Sequence, residues 1–119
     1  ITVNYANLDM IGHTGDFVAA QKAVRTVDGE MKRMLQILIK HGGQAVITAD
    51  HGNIEGMVDL ENGQPDTEHS SNPVPLIIIN SQIKIHRKLP DGKLANVAPT
   101  ILKMMGIKKP KEMSADSLV

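Results

Sequence analysis

The strongest constraint on this chain is an apolar stripe: Ala20, Val24, Val27, Met31, Leu35 and Leu38 recur at steps of 4, 3, 4, 4 and 3. That period belongs to an α-helix with one face turned to a core, and Asp16 is placed to cap its start. His41-Gly42-Gly43 ends it, with glycine as the breaker and a histidine favoured by the helix dipole. β-Branched segments flank the helix. Ile1 to Ala6 reads as one strand, closed by a polar turn at Asn7, Leu8 and Asp9, and Gln44 to Ala49 reads as a second, buried on both faces. A strand, a helix and a strand predict a βαβ unit with parallel strands and a right-handed crossover.

The 24 residues from Gly52 to Pro75 are rich in Gly, Asn, Asp and Pro and read as a long loop, which in a compact domain is usually functional or disordered. Pro75 to Ile79 supplies a third buried strand, and Ile83 to His86 a short edge strand carrying Lys84 and Arg87. Leu94, Val97, Ala98, Ile101, Leu102 and Met105 mark a last helix, ended by Gly106. The expected class is therefore α/β: part of a mainly parallel sheet flanked by helices, in a single domain. The opening residue is Ile1 and no leader precedes the first strand, so a piece of a longer chain is expected.

Composition narrows the chemistry. With one Phe, one Tyr and no Trp among 119 residues there is no row of rings to stack bases, and 13 basic against 13 acidic residues give no bulk charge for a polyanion. Nucleic acid is not an expected partner. No run of 18 apolar residues occurs, so no membrane-spanning helix is expected. The absence of cysteine fits a reducing cytoplasm and leaves His and carboxylates as the available metal ligands.

Charge is uneven. From His41 to Ile83 there are six acids and no Lys or Arg, a window of −6, whereas Lys84 to the end sums to +5. The basic tail reads as a solvated face. In the acidic window, Asp50 and His51 end the second strand and His69 stands just before the third, while Asp9 lies four residues before His13 after the first. Each has an ordinary structural use alone, Asp9 and Asp50 as turn caps. Together they are expected to meet at one edge of an open parallel sheet, where ligands bind outside the strand ends. Carboxylate and imidazole suit Mn, Zn or Fe. Two such ions about 3.5–4 Å apart can clamp the attacking and leaving oxygens of a phosphoryl group, which makes phosphoryl transfer the expected reaction class. His41 and His86 are read as structural or solvent-facing.

The segments NYANLDMIGHTG (Asn4 to Gly15), ITADHGN (Ile47 to Asn53), EHSSNPVP (Glu68 to Pro75) and ANVAPTIL (Ala95 to Leu102), with Gly106-Ile107, occur in an order that resembles the cofactor-independent phosphoglycerate mutase family. The likeness spans almost the whole chain but only the closing part of the family's metal-binding domain, an alkaline-phosphatase-like three-layer fold. It implies Asp9, His13 and His69 as ligands of one divalent ion, usually manganese, and Asp50 and His51 as ligands of a second. It implies interconversion of 3-phosphoglycerate and 2-phosphoglycerate through a phosphoserine, with the nucleophilic serine, another aspartate and the substrate-binding domain lying upstream of residues 1–119. No serine in this chain stands at a strand-to-helix elbow, so none is assigned that role. The chain departs from the pattern at Ile54 and Glu68, where alanine is expected, and at Ser70-Ser71, where threonines are usual. Competing readings are a sibling of the same superfamily, such as a phosphopentomutase or phosphatase, and a noncatalytic metal-binding fragment.

Overall fold

The computed structural model describes residues 1–80 and 88–119, and the edge strand expected at 83–86 lies outside them. Two compact units divide the chain, Ile1–Gln82 and Ile83–Val119.

In the first unit, α1 spans Asn7–Gly12, α2 Phe17–Lys40, β1 Gln44–Thr48 and β2 Leu76–Asn80, with a 3-10 turn at Ile54–Gly56. Helix α2 starts where its cap predicts: the Asp16 side chain accepts from the Ala19 N–H at 2.9 Å. It stops at His41, and Gly42 takes φ +72°, a left-handed conformation that side-chain-bearing residues rarely adopt. Of the stripe, Ala20 and Val27 are buried, Met31, Leu35 and Leu38 are half-buried, and Val24 is exposed. Helix α2 packs against α1 and β1, and its buried residues, Ala20 and Val27, both belong to the stripe.

Three expectations are corrected here. Ile1 to Ala6 forms no strand, because among the described residues no strand lies beside it to exchange backbone hydrogen bonds. The turn expected at Asn7 to Asp9 is instead the beginning of α1, which puts Asp9 and His13 on one helical face at i and i+4. Finally, the sheet of the described residues has two strands and is antiparallel, with Gln44 opposite Asn80, Val46 opposite Ile78 and Thr48 opposite Leu76. Its strands are half-buried in the main rather than covered on both faces.

The reason for the antiparallel pairing lies in the connection. A parallel neighbour needs a crossover, usually a helix, and the segment between β1 and β2 holds only the 3-10 turn. It runs out and back upon itself through two nested antiparallel bridges, Gly52 with Ser70 and Val58 with Pro65. At its tip the Asp59 N–H donates to Gln64 O at 2.9 Å, and Gly63 sits at φ +71°. The end of β1 thus lies beside the start of β2.

The second unit holds a 3-10 turn at Leu94–Asn96 leading into α3, Val97–Met104. Its periodic stripe is mostly exposed, with Leu94, Ala98, Ile101 and Met105 open to solvent and Pro99 and Thr100 buried instead. The closing segment covers that pair: Thr100 Oγ1 donates to Asn96 O at 2.7 Å and accepts from the Leu118 N–H at 3.0 Å. Among the described residues no helix is long and apolar enough to cross a membrane.

Candidate metal centre

Three pieces of the first unit deliver the histidines and carboxylates. Helix α1 presents Asp9, and its C-terminal cap is His13; Asp50 and His51 follow β1; His69 lies on the returning limb ahead of β2. Asp9 Oδ1 is the common point. It lies 3.1 Å from His69 Nε2, 3.3 Å from His13 Nε2 and 4.0 Å from His51 Nε2. The His51 and His69 rings stack at 3.8 Å between centroids, inclined by 25°, and His13 is tilted against His69 at 4.9 Å. Asp50 stands at the rim, its side chain 87% exposed and its Oδ2 3.7 Å from His51 Nε2. All five residues singled out in the sequence therefore meet. Asp9, His51 and His69 each offer an atom within 4.8 Å of the others, a grouping that could hold a metal ion and that crosses the expected division into two ligand sets. His41 caps α2 and takes no part, and His86 lies outside the described residues.

The donor chemistry fits a cation. His13 Nδ1 is 2.6 Å from the Thr67 carbonyl oxygen, which can only accept, so Nδ1 carries a proton, and the neutral form of the ring then has its lone pair on Nε2, facing inward. In that form the lone pair faces the Asp9 Oδ1 acceptor at 3.3 Å, with His69 Nε2 3.1 Å away. An acceptor facing an acceptor is unfavourable unless a proton or a metal ion lies between them. An imidazole whose other nitrogen is anchored to a carbonyl is also the usual arrangement of a metal-bound histidine.

Sequence reasoning missed the residues behind this cluster. Glu55 accepts from the Asn53 N–H at 2.8 Å, from the Asn72 side-chain amide at 3.0 Å and from the Ser70 hydroxyl. The Ser70 hydroxyl is the main cause holding the Glu55 carboxyl at about 2 instead of its ordinary 4.5. Burial pushes the other way, and bonds from Glu55's own backbone, Asn72 and Asn53 assist. Because the folded value is depressed, this contribution to stability is complete above pH 4.5 and is lost as pH falls towards 2. An NMR titration of the Glu55 carboxyl carbon should give a midpoint near 2, and Ser70→Ala should raise it; an unchanged midpoint in that variant would contradict the assignment.

Gly12 and Asn53 join the two halves of the centre. A Cβ at Gly12 would overlap Asn53 Oδ1, so the last turn of α1 can dock on the loop after His51 only because position 12 has no side chain. Asn53 is buried, and neither of its side-chain polar atoms has a hydrogen-bond partner among the described residues.

Comparison with known proteins agrees with a metal centre. The whole chain is 54% identical, over 120 aligned residues, to 22% of the 2,3-bisphosphoglycerate-independent phosphoglycerate mutase 2 of Methanosarcina barkeri. It is 48% identical to 23% of the corresponding mutase of Clostridioides difficile, again over its full length. Among solved structures, the phosphoglycerate mutase of Leishmania mexicana, crystallised at low cobalt concentration, superposes with a TM-score of 0.82 at 32% identity, covering 97% of this chain and 24% of that one. The chain thus spans less than a quarter of the length of these relatives. Residues 1–109 match the Metalloenzyme superfamily, and with an Asp-and-His cluster gathered from three separate segments, this chain belongs to that superfamily.

Proposed function

We propose that this chain forms the closing part of the metal-binding domain of a cytoplasmic, glycolytic phosphoglycerate mutase that interconverts 3-phosphoglycerate and 2-phosphoglycerate without a bisphosphoglycerate cofactor. The observation that carries the reading is the convergence of three histidine Nε2 atoms on Asp9 Oδ1, in a chain about half identical to such mutases along its whole length. Asp9, His13 and His69 would hold one divalent ion, and Asp50 and His51 would begin a second site completed by residues outside this chain. Manganese is the ion proposed.

Bound there, divalent cations supply Lewis acidity to a nucleophilic hydroxyl and offset charge on a transferred phosphoryl group. The chain's own residues set the conditions for this. Thr67 O keeps the His13 ring in the tautomer that directs Nε2 inward, and Asp9 provides a charged oxygen at the centre of the cluster. The nucleophilic serine and the groups that hold glycerate are assigned to the remainder of the parent protein.

The parent protein, loaded with Mn2+, should interconvert the two phosphoglycerates, whereas residues 1–119 alone should bind metal without turnover. Activity on pentose phosphates or simple phosphate esters, with none on phosphoglycerates, would move the assignment to another branch of the superfamily.

A further inference from the structure

We propose that Glu55 is a positioning residue for the metal centre: its carboxylate ties the segment following His51 to the segment following His69 and so fixes the separation of those two imidazoles. This rests on the metal-binding reading above. One oxygen, Oε2, accepts the Asn53 N–H at 2.8 Å, two residues past His51. The other, Oε1, accepts from Ser70, the residue after His69, and from Asn72 Nδ2 at 3.0 Å. Its hydrogen bonds, among the described residues, reach none of Asp9, His13, Asp50, His51 or His69.

The same two segments share a backbone bond, Ser70 N–H to Gly52 O at 2.8 Å. The next cross-limb backbone bond lies farther out, Asp66 N–H to Met57 O at 2.9 Å. The Glu55 carboxylate attaches at residues 53, 70 and 72, around the bridge nearest the histidines, and adds three ties there. Only an acceptor can serve, since every group facing it is a donor, and an ionised acceptor makes the stronger bonds. The approach is close enough that a Cβ on Gly52 would overlap both Ser70 Oγ and Glu55 Oε1. What the brace holds is the 3.8 Å stack of His51 on His69, whose Nε2 atoms lie 4.0 and 3.1 Å from Asp9 Oδ1.

The test is a Co2+ titration of the full-length protein followed by its visible absorption, with thermal melting of the metal-free protein alongside. Glu55→Ala should weaken Co2+ binding by about 10–100-fold and change the absorption band, as loss of a residue that orients a ligand does. Glu55→Gln keeps the carbonyl that faces Ser70 and Asn72 but turns a donor towards the Asn53 N–H, and should recover only part of the affinity. A role confined to stability would lower the melting temperature of Glu55→Ala and leave affinity and spectrum at wild-type values, which would overturn the proposal. If Glu55→Ala does not fold, Ser70→Ala takes its place, with about tenfold weaker binding expected and unchanged affinity refuting the brace. A wild-type protein that binds no Co2+ would bring down the metal reading and this one together. Wild-type binding with an unchanged variant would bring down this one alone.

Discussion

Replacing His69 with alanine is expected to raise the dissociation constant for Mn2+ by more than about a hundredfold, beyond the ~10–100-fold typical of losing a residue that merely orients a ligand. His69 is the hub of the cluster. It lies 3.1 Å from both Asp9 Oδ1 and His13 Nε2 and stacks on His51, so its removal takes away a donor atom and the surface against which another ring is held. Its side chain is 49% exposed, so the fold should survive and the far-ultraviolet circular dichroism should match that of the parent. Calorimetric titration with Mn2+ provides the measurement, and a dissociation constant within about threefold of wild type would remove His69 from the centre.

Gly12→Ala should have the largest effect on stability, about 1–3 kcal/mol by the usual penalty for overpacking, read as a lower denaturant midpoint at unchanged slope. The added methyl would collide with Asn53 at a buried contact, and the relief available is to lift α1 away from the loop. That movement would carry Asp9 and His13 away from His51, so metal affinity should fall together with stability. Shortening the other partner gives the internal control: Asn53→Ala should restore much of what Gly12→Ala loses, because the two positions are in contact and their effects do not add. A double variant no better than Gly12→Ala would show that the clash is not the cause.

Much of the fold was legible because it is local. The Asp16 cap, the period of α2 and the glycine stop at residues 42 and 43 each depend on neighbours within a few positions, and β1 and β2 are short β-branched runs bounded by turn residues. Strand direction is not local. A strand, a helix and a strand suggested a parallel sheet, but Ile1 to Ala6 has no strand beside it among the described residues, and the segment joining β1 to β2 has no crossover helix. The difference bears on the site. In a parallel pair His69, which precedes its strand, would lie at the opposite edge from His51, which follows its own; the antiparallel register brings them to the same edge. The five candidate residues could be picked out because Asp and His are chemically distinctive in a cysteine-free chain. Glu55 could not, since its partners are 2, 15 and 17 residues away and follow no period.

The nested bridges between β1 and β2 divide labour along one excursion of the chain. The inner bridge, Gly52 with Ser70, adjoins the candidate metal centre, while the far bend has Leu60 fully outside and Gly63 open on its Cβ side. Splicing a few residues or an epitope tag into that bend would lengthen the molecule without altering the spacing at its working end. The bend is therefore where natural length variation can accumulate at least cost, and where a reporter can be attached.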